Sequence, residues 1–205
     1  MFIIPCKFTT GCKIYECVDS IKKHFPYEKI VVVDSCSEFK EYCQNIDVDD
    51  VLYGNTGYEI GAYIKAFEKY PDEKYYQCFQ DSVVFNKWFD INSINIIRYF
   101  LFSRCGGLIR PCEYLNTFNI NSDPGIGVFG NNFSVDNYCM RYLYDFFKIL
   151  PKDKKDSENT ERLLGYVFVN KFGYDLKKIS IQGEHIDPLF NNDETFVTKY
   201  FMQRL

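Results

Sequence analysis

Long apolar runs are missing from this sequence. No stretch of its 205 residues approaches the length of a membrane-crossing helix. Met1 to Cys6 is apolar but only one strand long, and Lys7 ends it, which is short for the apolar region of a secretory leader. Positive charge is scarce too. The 24 Lys and Arg residues face 28 Asp and Glu, giving a net charge of −4. There is no basic stripe of the kind that duplex or single-stranded nucleic acid requires, so nucleic acid is not expected as a partner. A small anion remains compatible, held by helix N-termini or a metal ion. Histidine is limited to His24 and His185. The Gly-x-Ser-x-Gly, Walker and His-Glu-x-x-His motifs are all absent. No internal repeat, low-complexity tract or linker divides the chain.

What is abundant is cysteine and aromatic residues. The nine cysteines are odd in number, and no two have Cys-x-x-Cys spacing. That fits neither a disulfide scaffold nor a zinc ribbon. Several lie in apolar strand-like runs, where a free thiol behaves as a small hydrophobe. A reducing compartment, and hence a cytoplasmic location, is expected. Aromatics make up 19% of the chain, with 17 Tyr and 20 Phe. They read as core, with some rings available to line a sugar or base site.

Along the chain, Phe2 to Phe8 predicts a buried strand and Cys12 to Phe25 a helix with Ile14, Cys17, Val18 and Ile21 on one face. Lys29 to Asp34 is apolar throughout, as in a parallel strand covered on both faces. A short helix over Glu38 to Asn45 and a short strand over Asp50 to Tyr53 follow. Asn55 to Tyr70 reads as a loop entering a helix, and Lys74 to Phe79 as a strand. Beyond these, a helix is expected over Ile91 to Ser103 and a strand over Gly106 to Pro111. A long loop is expected over Asn121 to Phe133, and a helix over Val135 to Leu150. Lys152 to Asn159 reads as a charged surface loop, Glu161 to Phe172 as a helix, and Ile179 to Ile181 as a strand. The alternation of strand and helix in the first half predicts an α/β fold with a mostly parallel, doubly wound sheet flanked by helices.

Ligands of such sheets bind at the carboxyl ends of the strands. Three strand ends carry polar residues: Thr9-Thr10-Gly11, Asp34-Ser35 and Gln80-Asp81-Ser82. Asp34 is placed to accept hydrogen bonds from a ribose or base, and Asp81 to hold a divalent cation. Either could instead cap the next element. In Asn55-Thr-Gly-Tyr-Glu-Ile-Gly-Ala62, Gly57 permits unusual backbone angles or a close ligand, and Gly61 and Ala62 permit close packing on the sheet. Glu59 falls in the first helical turn, where a carboxylate also suits the helix dipole.

This succession resembles GT-A glycosyltransferases. It comprises an apolar strand, a strand ending in Asp, Asn-x-Gly-x-Glu-x-Gly-Ala at a helix start, and a strand ending in Gln-Asp-Ser. It is most similar to small capsid-modifying enzymes of large algal DNA viruses and to rhamnan- and polysaccharide-building transferases, over about residues 2–100. The resemblance implies one GT-A (Rossmann-like) domain over 1–205, with a nucleotide-binding part at about 1–105 and an acceptor-side part at about 106–205. It implies a UDP-sugar donor such as UDP-glucose or UDP-rhamnose, a glycan or glycoprotein acceptor, and Mn²⁺ or Mg²⁺. A viral source would place it in the host cytoplasm. By the same resemblance, Asp34 contacts the nucleoside, and Pro5, Phe8 and Thr9 line its pocket. Asn55, Gly57 and Glu59 lie near the phosphates or donor sugar. Gln80, Asp81 and Ser82 occupy the place of an Asp-x-Asp metal motif. Asp81 ligates the metal, with His185 as a second ligand. Glu161, with Glu158 in reserve, is the base that would activate the acceptor if the transfer inverts, a retaining outcome being equally open; 123–132 is assigned as an acceptor-side loop by position alone.

Two other motifs are set aside. Asp34-Ser-Cys36 lacks the second aspartate of haloacid-dehalogenase phosphatases. Tyr174-x-x-x-Lys178 with Gly54, Gly57 and Gly61 has short-chain dehydrogenase spacing, but its glycines follow the third strand rather than the first. The remaining alternatives are a non-catalytic carbohydrate- or nucleotide-binding module of a larger protein, and a structural α/β domain.

Overall fold

Two runs of consecutive apolar residues make the centre of the molecule. In the computed structural model, which describes residues 1–101, 113–120, 125–185 and 195–200, every residue of β1 (Phe2–Cys6) and β2 (Ile30–Asp34) is buried. The chain order begins β1, α1 (Ile14–His24), β2, α2 (Tyr42–Asn45), β3 (Asp50–Leu52), α3 (Tyr58–Lys69) and β4 (Tyr75–Cys78). It continues with β5 (Val83–Phe85), β6 (Asn95–Ile96), β7 (Tyr99–Leu101), α4 (Glu113–Asn116), β8 (Ile126–Val128), β9 (Phe133–Asp136) and α5 (Asn137–Phe146). Then come α6 (Lys154–Tyr166), a π-helical turn (Val167–Lys171), α7 (Leu176–Ile179) and β10 (Val197–Lys199). No helix among the described residues is long and apolar enough to cross a membrane.

The main sheet has six strands in the order β3-β2-β1-β4-β9-β6. β3, β2, β1 and β4 are mutually parallel, and β9 runs antiparallel between β4 and β6. The fold is thus α/β with a mostly parallel sheet flanked by helices, as the alternating pattern predicts. Successive side chains of β1 serve opposite faces. Phe2, Ile4 and Cys6 join α1, Phe79 and Phe85 in one core, while Ile3 joins residues of α3, α5 and α6 in the other. Much of the aromatic load sits in these cores: Phe2 packs on Phe25 at 5.2 Å between ring centroids, and Tyr63 on Phe133 at 5.4 Å.

The second half departs from the sequence expectation. The helix predicted from Ile91 is instead a turn followed by β6 and β7. Asp90 holds that turn, accepting from the Asn92 amide at 2.9 Å, and Asn95 donates to its carbonyl at 2.8 Å. Local side-chain bonds of this kind compete with a helix. Tyr99 to Leu101 then alternates buried and half-buried residues and pairs antiparallel with β8. The loop predicted up to Phe133 contains β8 and the start of β9. The helix predicted from Val135 begins at Asn137, because Asp136 still pairs with Tyr75 and caps α5 by accepting from the Cys139 amide at 2.8 Å. The charged segment from Lys152 is not a loop. Asp153 caps α6, accepting from the Asp156 amide at 2.8 Å, and the helix runs on from Lys154. Ile179 ends α7, and Ser180 makes only an isolated bridge to Ile96. The strand predicted over Gly106 to Pro111 lies outside the described residues.

Helix α6 lies directly on β8. A Cβ on Gly165 would stand 2.2 Å from the Ile126 carbonyl oxygen and 2.9 Å from the Gly127 Cα. A Cβ on Gly127 would stand 3.1 Å from the Glu161 carbonyl oxygen. At Gly165 backbone meets backbone, so no side chain fits without displacing the helix, while a Cβ on Gly127 would first meet the Phe100 ring at 2.4 Å. Gly165→Ala is expected to destabilise the fold by about 3 kcal/mol, at the upper end of overpacking costs. At 2–4 °C per kcal/mol for a chain of this size, that lowers the thermal midpoint by roughly 6–12 °C. A midpoint within about 2 °C of wild type would show that α6 can slide.

Candidate functional site

The strand order reverses between β1 and β4: the chain leaves β1 toward β2 and β3, then returns to β1's other edge as β4. Loops that diverge in this way leave a crevice at the strands' carboxyl ends. A cavity of about 520 Å³ occupies it, within the range of small-molecule sites. Pro5, Lys7 and Thr9 line it from the end of β1, and Ser35 and Cys36 from the end of β2. Asn55, Thr56, Tyr58 and Glu59 contribute from the start of α3, Gln80 and Asp81 from the end of β4, and Lys152 and Lys154 from the start of α6.

A polar network holds these elements in register. The Glu59 carboxylate accepts from Gln80 Nε2 at 2.7 Å through one oxygen and from Ser157 Oγ at 2.9 Å through the other. It thereby ties α3, the end of β4 and α6 together. Gln80 Oε1 and Ser82 Oγ both bond the Lys199 ammonium. Asn132 Oδ1 accepts from the Gln80 amide at 2.9 Å. Thr160 Oγ1 donates to Asn131 Oδ1 at 3.0 Å.

Glu161 is half-buried, and its Oε1 accepts from the Gly130 amide at 2.7 Å. Desolvation disfavours its charged form and pushes its pKa up to about 8. The Gly130 amide opposes that shift, and the nearby charges of Glu59 and Glu158 add to it. Backbone strain gathers in the same region. Cys36 (φ 58°), Tyr58 (φ 53°) and Asn131 (φ 53°) all adopt left-handed conformations without being glycine. The first two line the cavity, and the third follows the Gly130 amide. Non-glycine residues in this conformation cost about 1–3 kcal/mol each and concentrate at functional sites.

The predicted residues divide into three groups. Pro5, Thr9, Asn55, Glu59, Gln80 and Asp81 line the cavity. Asp34, Phe8, Gly57 and Ser82 do not. Asp34 is fully buried and accepts from Tyr42 Oη at 2.8 Å and from the Ser37 amide at 3.3 Å. Phe8 stacks on Tyr42 at 4.6 Å between centroids. The unusual backbone angle sits at Tyr58 rather than Gly57, and what approaches Gly57 is the Leu150 side chain. Gly61 meets the Asn55 side chain rather than the sheet. The third group lies away from the cavity lining. Glu161 neighbours Glu59, and Glu158 pairs with Lys154 at 3.8 Å. His185 stacks on Phe129 at 3.8 Å, and its backbone amide donates to the Tyr99 carbonyl at 2.7 Å. Of the 123–132 loop, 123 and 124 lie outside the described residues.

Sequence reasoning missed Cys36, Thr56, Tyr58, Lys152, Lys154 and Lys199. For Lys152 and Lys154 a signal existed: Pro151 followed by Asp153 is a helix start, which turns a charged loop into the first residues of an inward-facing helix. Lys199 reaches the site only through the long-range pairing of β10 with β5, in which it faces Val83.

Asp81 lies beside two cysteines. Cys12 Sγ lies 3.4 Å from Asp81 Oδ2, and Cys6 Sγ lies 3.8 Å from Cys12 Sγ. Among the described residues these three form the one group of potential metal ligands, with ligand atoms all within 4.8 Å of one another, and His185 is not in it. Mg²⁺ and Mn²⁺ favour carboxylate, carbonyl and water oxygens. One carboxylate beside two thiols does not fit them.

No protein-family model matches the chain, and no curated protein matches it in sequence. Among solved structures it is similar to TarS 1–349 of S. aureus in complex with UDP, at 14% identity and a TM-score of 0.46, covering 79% of this chain and 54% of that one. It is also similar to TarS 1–349 in a second structure, at 12% identity and a TM-score of 0.45, covering 80% and 55% respectively. The chain spans about half the length of both.

The raised pKa of Glu161 has a thermodynamic consequence. The folded chain holds this proton more tightly than the unfolded chain, whose carboxyl titrates near 4.5. Its contribution to stability is therefore full below about 4.5 and is lost as pH rises to about 8. Glu161→Gln keeps an acceptor for Gly130 and removes the titration. Its thermal midpoint, relative to wild type, is expected to rise by roughly 5 °C between about pH 5 and pH 9, taking about 2 kcal/mol of the shift as realised. A difference constant with pH would show that Glu161 titrates normally.

Proposed function

We propose that this chain is a glycosyltransferase that takes its sugar from a nucleoside diphosphate, with the donor held in the cavity between β1 and β4. The observation that carries this reading is the cavity's charge pattern. In a chain of net charge −4, Lys7, Lys152 and Lys154 converge on one crevice at the carboxyl ends of parallel strands, beside Asp81 and Glu59. Three ammonium groups suit a diphosphate, and carboxylates and amides beside them suit sugar hydroxyls. UDP-glucose or UDP-rhamnose is the proposed donor and a glycan or glycoprotein the proposed acceptor. The nucleotide is assigned to about 1–105 and the acceptor to about 106–205. The narrower likeness to algal-virus enzymes rests on the sequence pattern alone.

In the transfer, the acceptor oxygen bonds to the anomeric carbon while that carbon's bond to the diphosphate oxygen breaks. The bonding pair leaves with the diphosphate, where the lysines offset the growing negative charge. The acceptor's proton passes to a carboxylate. Glu161 is assigned that role from the resemblance and its place beside Glu59; with its pKa pushed up to about 8 it accepts a proton only in its ionised form, which gains as pH rises. Glu158, paired with Lys154, is the reserve. Asn55, with Nδ2 on Ser35 Oγ at 2.9 Å and Oδ1 on the Gly57 amide at 3.0 Å, keeps the cavity's floor in shape. Asp34 is assigned the same indirect role through Ser37. Mn²⁺ or Mg²⁺ on Asp81 and His185, implied by the resemblance, enters none of these steps.

Incubation with a panel of nucleoside-diphosphate sugars tests the reading, with release of free sugar and nucleotide as readout. A transferase leaks some donor to water, and release is expected for at least one UDP-sugar. In the double variant Lys152→Ala/Lys154→Ala, the donor KM is expected to rise about tenfold with kcat little changed, since each charge-assisted bond contributes about 1.5–3 kcal/mol and exposed lysines deliver less. No release from any donor, with a folded chain, would favour a non-catalytic binding module.

A further inference from the structure

Cys6, Cys12 and Asp81 come from three separate places: the end of β1, the loop before α1, and the residues after β4. The spacing gives no warning of it, since five residues separate the cysteines and the carboxylate follows far downstream. Cys6 and Asp81 are almost fully buried, at 1% and 2% exposure, and so are held by the sheet. Cys12 is half-buried, and its amide closes a turn onto the Thr9 carbonyl at 3.0 Å.

The distances within the trio carry the inference. A tetrahedral ion with metal–sulfur bonds of about 2.3 Å and a metal–oxygen bond of about 2.0 Å sets its ligands about 3.8 Å apart for sulfur to sulfur and about 3.5 Å for sulfur to oxygen. The observed separations are 3.8 Å between the two sulfurs and 3.4 Å from Cys12 Sγ to Asp81 Oδ2. Two of the three edges of a tetrahedral coordination face are thus already at the lengths a zinc-sized ion needs, and the third, Cys6 to Asp81, is within 4.8 Å.

We infer that Cys6, Cys12 and Asp81 form a binding site for a thiophilic divalent cation of the Zn²⁺ class, with its fourth position open toward the cavity. Two thiolates select such a cation over Mg²⁺ and Mn²⁺, which prefer oxygen and stand lower in affinity for mixed sulfur sites. Three protein ligands with one open position is the pattern of zinc sites that meet a substrate or water, whereas structural sites close all four. The open position is assigned from Asp81, the one ligand of the three that also lines the cavity. Binding replaces both thiol protons, so each cation taken up releases two protons to solvent and leaves the first shell with a charge of −1. The inference does not depend on the identity of the sugar donor.

The test uses the full chain, reduced with a phosphine and stripped of metal by a chelator, with no nucleotide present. Titration with Cd²⁺ reads thiolate coordination directly as an ultraviolet charge-transfer band, and competition against a chromophoric chelator gives the Zn²⁺ affinity. One tight equivalent, two protons released per ion, and no displacement by about a thousandfold excess of Mn²⁺ are expected. Cys12→Ser, at a half-buried loop position, should lower Zn²⁺ affinity at least about a hundredfold with its circular dichroism unchanged, and Asp81→Asn about tenfold or more. Absence of a charge-transfer band, equal affinity in Cys12→Ser, or ready displacement by Mn²⁺ would each overturn the site. Because the titration contains no donor, its failure is separate from any failure of sugar transfer.

Discussion

Helix α6 rests on strand β8 with no side chain between them, and the geometry of the site depends on that contact. Gly165 and Gly127 bring the two backbones together, so the helix axis is fixed by peptide groups that cannot repack. Everything α6 delivers to the site inherits that precision. Ser157 meets Glu59, Thr160 meets Asn131, and Glu161 meets the amide of Gly130. The same helix start sets Lys152 and Lys154 over the cavity. A shift of α6 by the width of one methyl group would loosen all of these contacts together.

Around that frame, charge is arranged to be uncomfortable without a ligand. Glu59, Glu158 and Glu161 lie close enough that each raises the cost of ionising the last, and burial adds to the penalty at Glu161. Lys199 partly offsets it from the far end of the chain, while Lys7, Lys152 and Lys154 converge on the cavity from two elements. Left-handed Cys36, Tyr58 and Asn131 show that the loops meeting here are held by their surroundings and not by local preference. Such preorganised polarity is what a reaction that moves negative charge requires.

The parallel half of the sheet was legible because burial on both faces forces consecutive apolar residues, as in Ile30 to Val33. The strand ends then located the cavity, and six of the predicted residues line it. Asp34 faces a neighbour instead of the cavity, and sequence could not show this. A strand-end aspartate looks the same in sequence whether it faces a ligand or a neighbour, and here Tyr42, eight residues on, takes its carboxylate. The antiparallel strands were not legible. β6 and β7 are two and three residues long, too short for a period to emerge, and they exist only because β9 and β8 lie beside them. The grouping of Cys6 and Cys12 with Asp81 was not legible either, since only the fold brings the three together.

The most direct test of the account is calorimetric titration of UDP into the reduced chain. The account requires binding at one site, weakened as salt rises because lysines hold the diphosphate. Absence of binding by UDP, GDP and the other common nucleoside diphosphates would contradict it, and would leave the cavity between β1 and β4 without the ligand its charges describe.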